Sequence, residues 1–271
     1  ILHYISETYR YPKDFESLLT VSQLIQAEGI KYGVEHWRRN RGRCMGTIYW
    51  QLNDYWPVAS WSSIDYFGRW KALHYLAKRF YAPLLISACE EGTYVELHVT
   101  NETFCKAQGD VIWRLLRDKG GSVIDSDTIK VQVEPLSSKR CAVLDFSNVL
   151  DTTQKKINTY LEYEFIQDTS IISSGTVLFV KPKHFEFVDP QLKVSVEEIE
   201  DRFVLTVTSK SFAKYVMLDL KDVDGVFEDN YFDLSPNTEK KINIMKQDIS
   251  RQLSIDEFKQ EIMVRSLVDT F

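Results

Sequence analysis

The spacing of apolar positions changes near residue 83. Before that point it is helical. From Asp14 onward, Phe15, Leu18, Ser22, Ile25, Gly29, Tyr32 and His36 follow one helical face, and Leu19, Val21, Leu24, Ile30, Val34 and Trp37 supply a second. This predicts a long helix, buried over much of its circumference. Pro12 is tolerated at a helix start, and Asp14 can cap the first turn. The run Arg38-Arg39-Asn40-Arg41-Gly42-Arg43 ends the helix, with cations at the negative end of its dipole and Gly42 as the stop. Met45 to Trp50 is short, apolar and β-prone, and predicts a buried strand. Arg69 to Phe80 predicts another helix, ending before Pro83.

Beyond Pro83 the period becomes two. Tyr94 to Val99, Val111 to Leu115, Tyr160 to Phe165 and Thr176 to Val180 alternate, and Gly120-Gly121 signals a turn. The rhythm predicts about seven strands over roughly 100 residues, the size of an immunoglobulin-like sandwich. Pro182 to Pro190 reads as a junction. Leu192 to Val196, Arg202 to Thr208, Tyr215 to Leu220, Glu239 to Ile244 and Phe258 to Leu267 then predict a second sandwich. The fold class is therefore mainly β with an α/β segment at the start. Helix, buried strand, loop and helix within residues 1–82 are too few to close a (β/α)8 barrel, which needs roughly 250 residues. They fit only its last part. Residues 83–185 and 186–271 are assigned to the two sandwiches.

Composition narrows the partners. The net charge of −6 argues against nucleic acid, whose phosphates call for a basic face. No stretch is apolar for long enough to cross a bilayer, so no membrane partner is expected. The chain opens at Ile1 without an initiator Met, so a preceding portion is expected. Cys44, Cys89, Cys105 and Cys141 match no zinc or redox spacing and are read as buried free thiols. The five histidines show no ligand spacing. Neither a metal nor a cofactor is expected.

The chemistry concentrates in Gly46 to Asp65. Four of the six tryptophans lie between Trp50 and Trp70. A strand ending in a loop dense with aromatic faces, Asn and Asp offers ring faces to the C–H bonds of a sugar and polar groups to its hydroxyls. Tryptophans also fill cores, and both readings stand on residue chemistry alone.

Trp50-Gln51-Leu52-Asn53-Asp54-Tyr55-Trp56-Pro57, followed by Ser60-Trp61, is similar to a signature at the eighth barrel strand of family 2 β-mannosidases. The resemblance spans residues 12 to 86. It takes in Gln26 to Arg39 upstream, and Gly68 to Tyr75 with Phe80-Tyr81-Ala82-Pro83 downstream. It implies the C-terminal portion of a retaining enzyme that hydrolyses terminal non-reducing β-D-mannose. In such enzymes one Glu is acid/base and another is nucleophile, about 5 Å apart. The resemblance places both before this chain. Ser6-Glu7-Thr8 lacks the aromatic and glycine of the nucleophile motif, so no catalytic residue is assigned here.

Trp50 is implied as the platform beneath the mannose. Asn53, Asp54 and Trp56 are candidates either to line the subsite or to stabilise the loop. Trp61 is a further candidate and, with Asp65, is more simply read as packing. The implied partners are mannose-containing oligosaccharides and the preceding portion of the same enzyme; oligomeric state is left open. A non-catalytic supporting or carbohydrate-binding module, or another family 2 glycosidase, is the alternative.

Two smaller signals remain. Asn101-Glu102-Thr103 matches a glycosylation triplet, which is common by chance. Glu197 to Asp201 reads as a solvated acidic loop.

Overall fold

The computed structural model describes residues 1–271. Helices α1 (Leu2–Thr8), α2 (Phe15–Arg39) and α3 (Ala72–Phe80) come first. Asp14 caps α2, its carboxylate accepting the Ser17 N–H at 2.7 Å. Val21, Leu24, Ala27 and Val34 are the apolar side chains that α2 buries, and they pack against Ala72, Leu73, Leu76 and Phe80 of α3. The face predicted from Phe15 through Tyr32 to His36 is largely open to solvent instead. A lone helix pair covers one stripe of a helix, not its whole circumference.

Seven strands follow: β1 (Leu84–Glu91), β2 (Tyr94–Asn101), β3 (Ala107–Arg117), β4 (Val123–Val133), β5 (Ser137–Asp145), β6 (Thr159–Gln167) and β7 (Ser170–Leu178), with the single-turn helix α4 (Thr153–Lys156) between β5 and β6. They form two antiparallel sheets, β1-β2-β5 and β4-β3-β6-β7. Alternate side chains such as Leu97, Val111, Leu115, Leu161 and Phe165 meet between the sheets as one core.

The second sandwich holds β8 (Lys193–Ile199), β9 (Arg202–Thr208), β10 (Ala213–Leu220), β11 (Phe232–Leu234), β12 (Glu239–Met245) and β13 (Ile262–Arg265), in the sheets β12-β9-β8 and β11-β10-β13. Phe258 does not begin a strand as its spacing predicts. It lies in helix α5 (Ile255–Glu261), started by a capping box in which Ser254 and Glu257 bond reciprocally. Only Ile262 to Arg265 then pairs with β10.

The sandwiches are joined by more than a linker. Leu116, Tyr160, Phe185 and Phe212 form a buried cluster between them, with Tyr160 stacked on Phe212 at 4.0 Å between ring centroids. Asp118 lies beside it and accepts the backbone N–H groups of Val188 at 2.9 Å and Phe212 at 3.1 Å. Gly121 completes the predicted turn with φ of 64°, and a Cβ there would lie 2.5 Å from the Pro236 ring, so only glycine fits.

The helices seat against both sandwiches. Tyr215 and Leu267 of the second share the helical core. The basic run at the end of α2 ties it to α3 and to the first sandwich: Arg38 donates to the carbonyls of Phe80 and Ala82, Arg39 to Ala88 of β1 at 2.9 Å, and Arg41 to Leu136 at 2.7 Å. Arg41 also pairs with Glu102. These cations are thus structural donors, not merely a helix stop.

Two sequence signals change meaning. Asn101 is fully buried, and its amide donates to the carbonyls of Cys105, Val133 and Glu134. It is a turn-forming residue with no amide left over for a glycan. The four cysteines are free, as expected, but Cys105 is exposed and the others half-buried, because they sit in turns and on the outer positions of strands.

Candidate functional site

The connection from α2 to α3 carries the tryptophans. Met45 to Trp50 is not the buried strand that its composition predicts. The segment forms no ladder, and Ile48 is 97% exposed and Trp50 72% exposed. A strand needs a neighbour to take its N–H and C=O groups, and none of the thirteen strands lies beside it. The Trp50–Gln51 peptide is cis.

Beyond Trp50 the backbone is braced from within. Asp54 is buried and stands at the centre. Its carboxylate accepts Ser60 Oγ and Ser62 Oγ, each at 2.6 Å, and faces Lys71 Nζ at 3.4 Å. Lys71 also donates to Ser62 Oγ at 2.8 Å. Burial pushes the Asp54 carboxyl up, but the two serines and Lys71 outweigh it and hold it below the usual carboxylate range.

A second knot sits next to the first. Ser63 is fully buried; its hydroxyl lies 2.9 Å from the Tyr49 phenol and 3.0 Å from His74 Nδ1, and donates to the Leu52 carbonyl. Burial lowers the His74 imidazole below its ordinary value, which favours the neutral ring. Single bridges Asn53–Ile64 and Ile64–Trp70 pin the loop across itself. Asp65 folds the return by accepting the N–H groups of Phe67 and Arg69 and pairing with the Arg69 side chain. Gln26 of α2 reaches up to the Trp61 carbonyl at 2.7 Å.

The candidate residues therefore separate. Trp50, Trp56 and Trp61 present their rings outward, Trp56 stacked on Tyr55. Asn53 spends its amide on the Asp54 carbonyl, and Asp54 spends both carboxylate oxygens on the loop. Around the tryptophans Leu52, Tyr55, Val58, Tyr66 and Phe67 are exposed as well. The bracing by Ser60, Ser62, Ser63, Lys71 and His74 was not legible in the sequence. The one signal was the density of serines between two tryptophans, which reads equally as loop polarity. No three His, Cys, Asp or Glu side chains are grouped to hold a metal ion. No helix is long and apolar enough to cross a membrane.

An exposed aromatic platform on a rigid loop suits contact with a ring-shaped apolar face, such as one side of a pyranose.

Comparisons with known proteins agree with the architecture. Residues 93–184 match the model of a mannosidase Ig/CBM-like domain, and residues 187–270 match a mannosidase Ig-fold domain. The chain is similar to β-mannosidase A of Emericella nidulans, 30% identical over 274 residues, covering 94% of this chain and 29% of that protein. It is similar to the β-mannosidase of Bos taurus at 25% identity, covering all of this chain and 32% of that one. The crystal structure of a β-D-mannosidase from Dictyoglomus thermophilum superposes with a TM-score of 0.86 over 97% of this chain and 31% of its own, at 24% identity. An Amycolatopsis orientalis exo-chitosanase shares the fold with a TM-score of 0.70 at 17% identity, over 98% of this chain and 35% of its own. The chain spans about a third of the length of the curated relatives it matches. By these matches the chain belongs to the β-mannosidase family, corresponding to the C-terminal portion of the glycoside hydrolase family 2 enzymes of that name and carrying their paired Ig-like domains.

Proposed function

We propose that this chain is the C-terminal portion of a retaining β-mannosidase that removes terminal non-reducing β-D-mannose from oligosaccharides. The observation that carries the reading is the outward display of Trp50, Trp56 and Trp61 on a loop braced by Asp54, Ser62 and Lys71. Trp50 serves as the floor under the sugar at the reacting position, and Trp56 and Trp61 line its rim. Hydrophobic contact with the C–H face orients the ring, so that a carboxylate pair about 5 Å apart can attack and protonate across it.

That pair belongs to residues preceding this stretch, and the chain alone is inactive. Residues 1–82 supply the last part of a (β/α)8 barrel. Met45 to Tyr49, outside any helix or strand and without backbone partners, supports this by leaving its N–H and C=O groups open to a neighbouring strand of the preceding portion. The two sandwiches act as a rigid support for that segment.

The test is hydrolysis of a chromogenic aryl β-D-mannoside by this chain and by the protein extended upstream. Activity only in the extended form supports the reading. Activity in the short chain overturns the placement of the carboxylates. Cleavage of a different glycoside, such as a β-glucosaminide, by the extended form retains the family and overturns the sugar.

A further inference from the structure

The aromatic loop ends in a turn with two rings at its tip. Tyr66 and Phe67 are the central residues, and the Gly68 N–H closes the turn onto the Asp65 carbonyl at 3.0 Å. Gly68 has φ of 85°, which favours glycine. The Asp65 carboxylate locks the turn from inside. It accepts the N–H groups of Phe67 at 2.9 Å and Arg69 at 3.0 Å, and Arg69 Nε at 2.6 Å. A turn held in this way needs no aromatic side chains. Yet both rings stand exposed, Phe67 at 63%, and meet edge to face at 5.2 Å between centroids. The turn is continuous with the tryptophan platform. Ser63, two positions before Asp65, donates its N–H to the Gln51 carbonyl at 3.1 Å, directly after Trp50, and Ile64 bridges to Asn53.

The polar groups beside these rings suit hydroxyls. The Arg69 guanidinium lies over the Phe67 ring at 5.1 Å and donates only its Nε within the chain. Its Nη1 stands 3.7 Å from Oδ1 of Asp224, in the connection between β10 and β11 of the second sandwich. That separation is too long for a direct hydrogen bond. Asp224 is itself fixed: its N–H donates to Ser250 Oγ at 3.0 Å, and its carbonyl accepts the Ser250 N–H at 2.8 Å. A donor and an acceptor set this far apart fit a group that accepts and donates at once, as a sugar hydroxyl does. With Asp65 and Asp224 beside it, Arg69 is not left over to select an anion, and the ligand expected is neutral. Ring faces for C–H bonds and a few placed polar groups together make a binding surface for a pyranose.

We propose that Tyr66, Phe67, Arg69 and Asp224 form a subsite for a neutral sugar on the leaving side of the bond, in the oligosaccharide that remains when the terminal mannose is released. This rests on the β-mannosidase reading of the Trp50 platform. Trp50 holds the ring that is cut off. Tyr66 and Phe67 take a later ring of the same chain by its C–H face, and a hydroxyl of that ring bridges Arg69 Nη1 and Asp224 Oδ1. The second sandwich then serves specificity as well as support, because it supplies the acceptor. A mannose that is part of an oligosaccharide gains contacts that a lone mannoside lacks, and the enzyme favours chains accordingly.

The test uses the upstream-extended protein and two variants, Phe67→Ala on the loop and Asp224→Asn on the second sandwich. Tyr66→Ala takes the place of Phe67→Ala should that variant fail to fold. Values of kcat/KM are measured with β-D-mannosyl fluoride, which has no sugar on the leaving side, and with β-1,4-mannotriose. The ratio of mannotriose to fluoride is expected to fall at least about fivefold in Phe67→Ala and about threefold in Asp224→Asn. A ratio unchanged in Phe67→Ala overturns the subsite, and one unchanged in Asp224→Asn overturns the part given to the second sandwich; either leaves the β-mannosidase reading in place. No hydrolysis of these substrates or of an aryl β-D-mannoside by the unaltered protein overturns that reading, and the subsite with it. If the preceding portion covers the rings instead, Phe67→Ala lowers the melting temperature of the extended protein by several degrees more than that of this chain, and that result also overturns the subsite.

Discussion

Ser62 donates its hydroxyl to the Asp54 carboxylate at 2.6 Å across eight positions of chain, and Lys71 reaches the same pair from the start of α3. A loop whose side chains mostly face water takes its shape from these three. Asp54→Ala leaves the half-buried Lys71 ammonium without its counter-charge and two hydroxyls without an acceptor. The expected cost to the loop is about 3 kcal/mol. It is expected to show first as proteolytic cutting within residues 50–66 while the sandwiches stay intact. First cuts in the sandwiches would show that the knot does not hold the loop.

Trp50 gives the opposite pattern. Its ring is exposed, so Trp50→Ala is expected to change stability by no more than about 0.5 kcal/mol. In the upstream-extended protein the same change is expected to reduce aryl mannoside hydrolysis at least tenfold, or about 1.4 kcal/mol of transition-state stabilisation. Unchanged kcat/KM would remove Trp50 from the subsite.

Phe212 stacks on Tyr160 between the sandwiches, and both are fully buried. Phe212→Ala is expected to cost about 3–5 kcal/mol. Because the cluster couples two separate cores, calorimetry is expected to resolve two transitions where the unaltered chain gives one.

Asp118 fixes the same junction through the N–H groups of Val188 and Phe212. Asp118→Ala leaves both buried donors empty, at about 1–3 kcal/mol each. Burial holds this carboxyl at about 6, above its ordinary 3.8, against the pull of those two N–H groups. Its contribution to stability therefore falls as pH rises from about 4 to about 6, and the gap between the unaltered chain and the variant is expected to narrow over that range. A gap that widens with pH would reverse the sign.

Asn101 is expected to carry no glycan in the folded protein made by a glycosylating host, as read by intact mass. Its amide already serves three carbonyls, and a sugar on that nitrogen would have to displace the β3–β4 sheet end. A glycosylated, folded chain would contradict the burial.

The sequence made the long elements legible because their signals are local. Asp14 as a cap, the alternation of Tyr94 to Val99 and the Gly120-Gly121 turn each depend on neighbours a few positions away. Met45 to Trp50 went wrong for a non-local reason. Its composition suits a strand, but strand formation needs a partner, and composition does not supply one. Phe258 was misread because the capping box of Ser254 and Glu257 outweighs the apolar run behind it. In the candidate site the tryptophans were visible as residues, while Lys71 and Ser62 were not. What brings them to Asp54 is the return of the chain into α3, which no spacing rule encodes.

Strand β6 is covered on both faces at its start, where Thr159, Tyr160 and Leu161 are all buried. Leu161, Tyr163 and Phe165 point into the first sandwich, while Tyr160 points out into the cluster with Phe185 and Phe212. The first sandwich is thus a module by topology but not by solubility. Cut free after residue 181, it would carry an uncovered aromatic ring and the Leu116 side chain on an outer sheet face, the kind of surface through which isolated sheets aggregate. Shuffling of this domain between proteins is restricted accordingly: it can travel only with a neighbour that brings its own equivalent of Phe212.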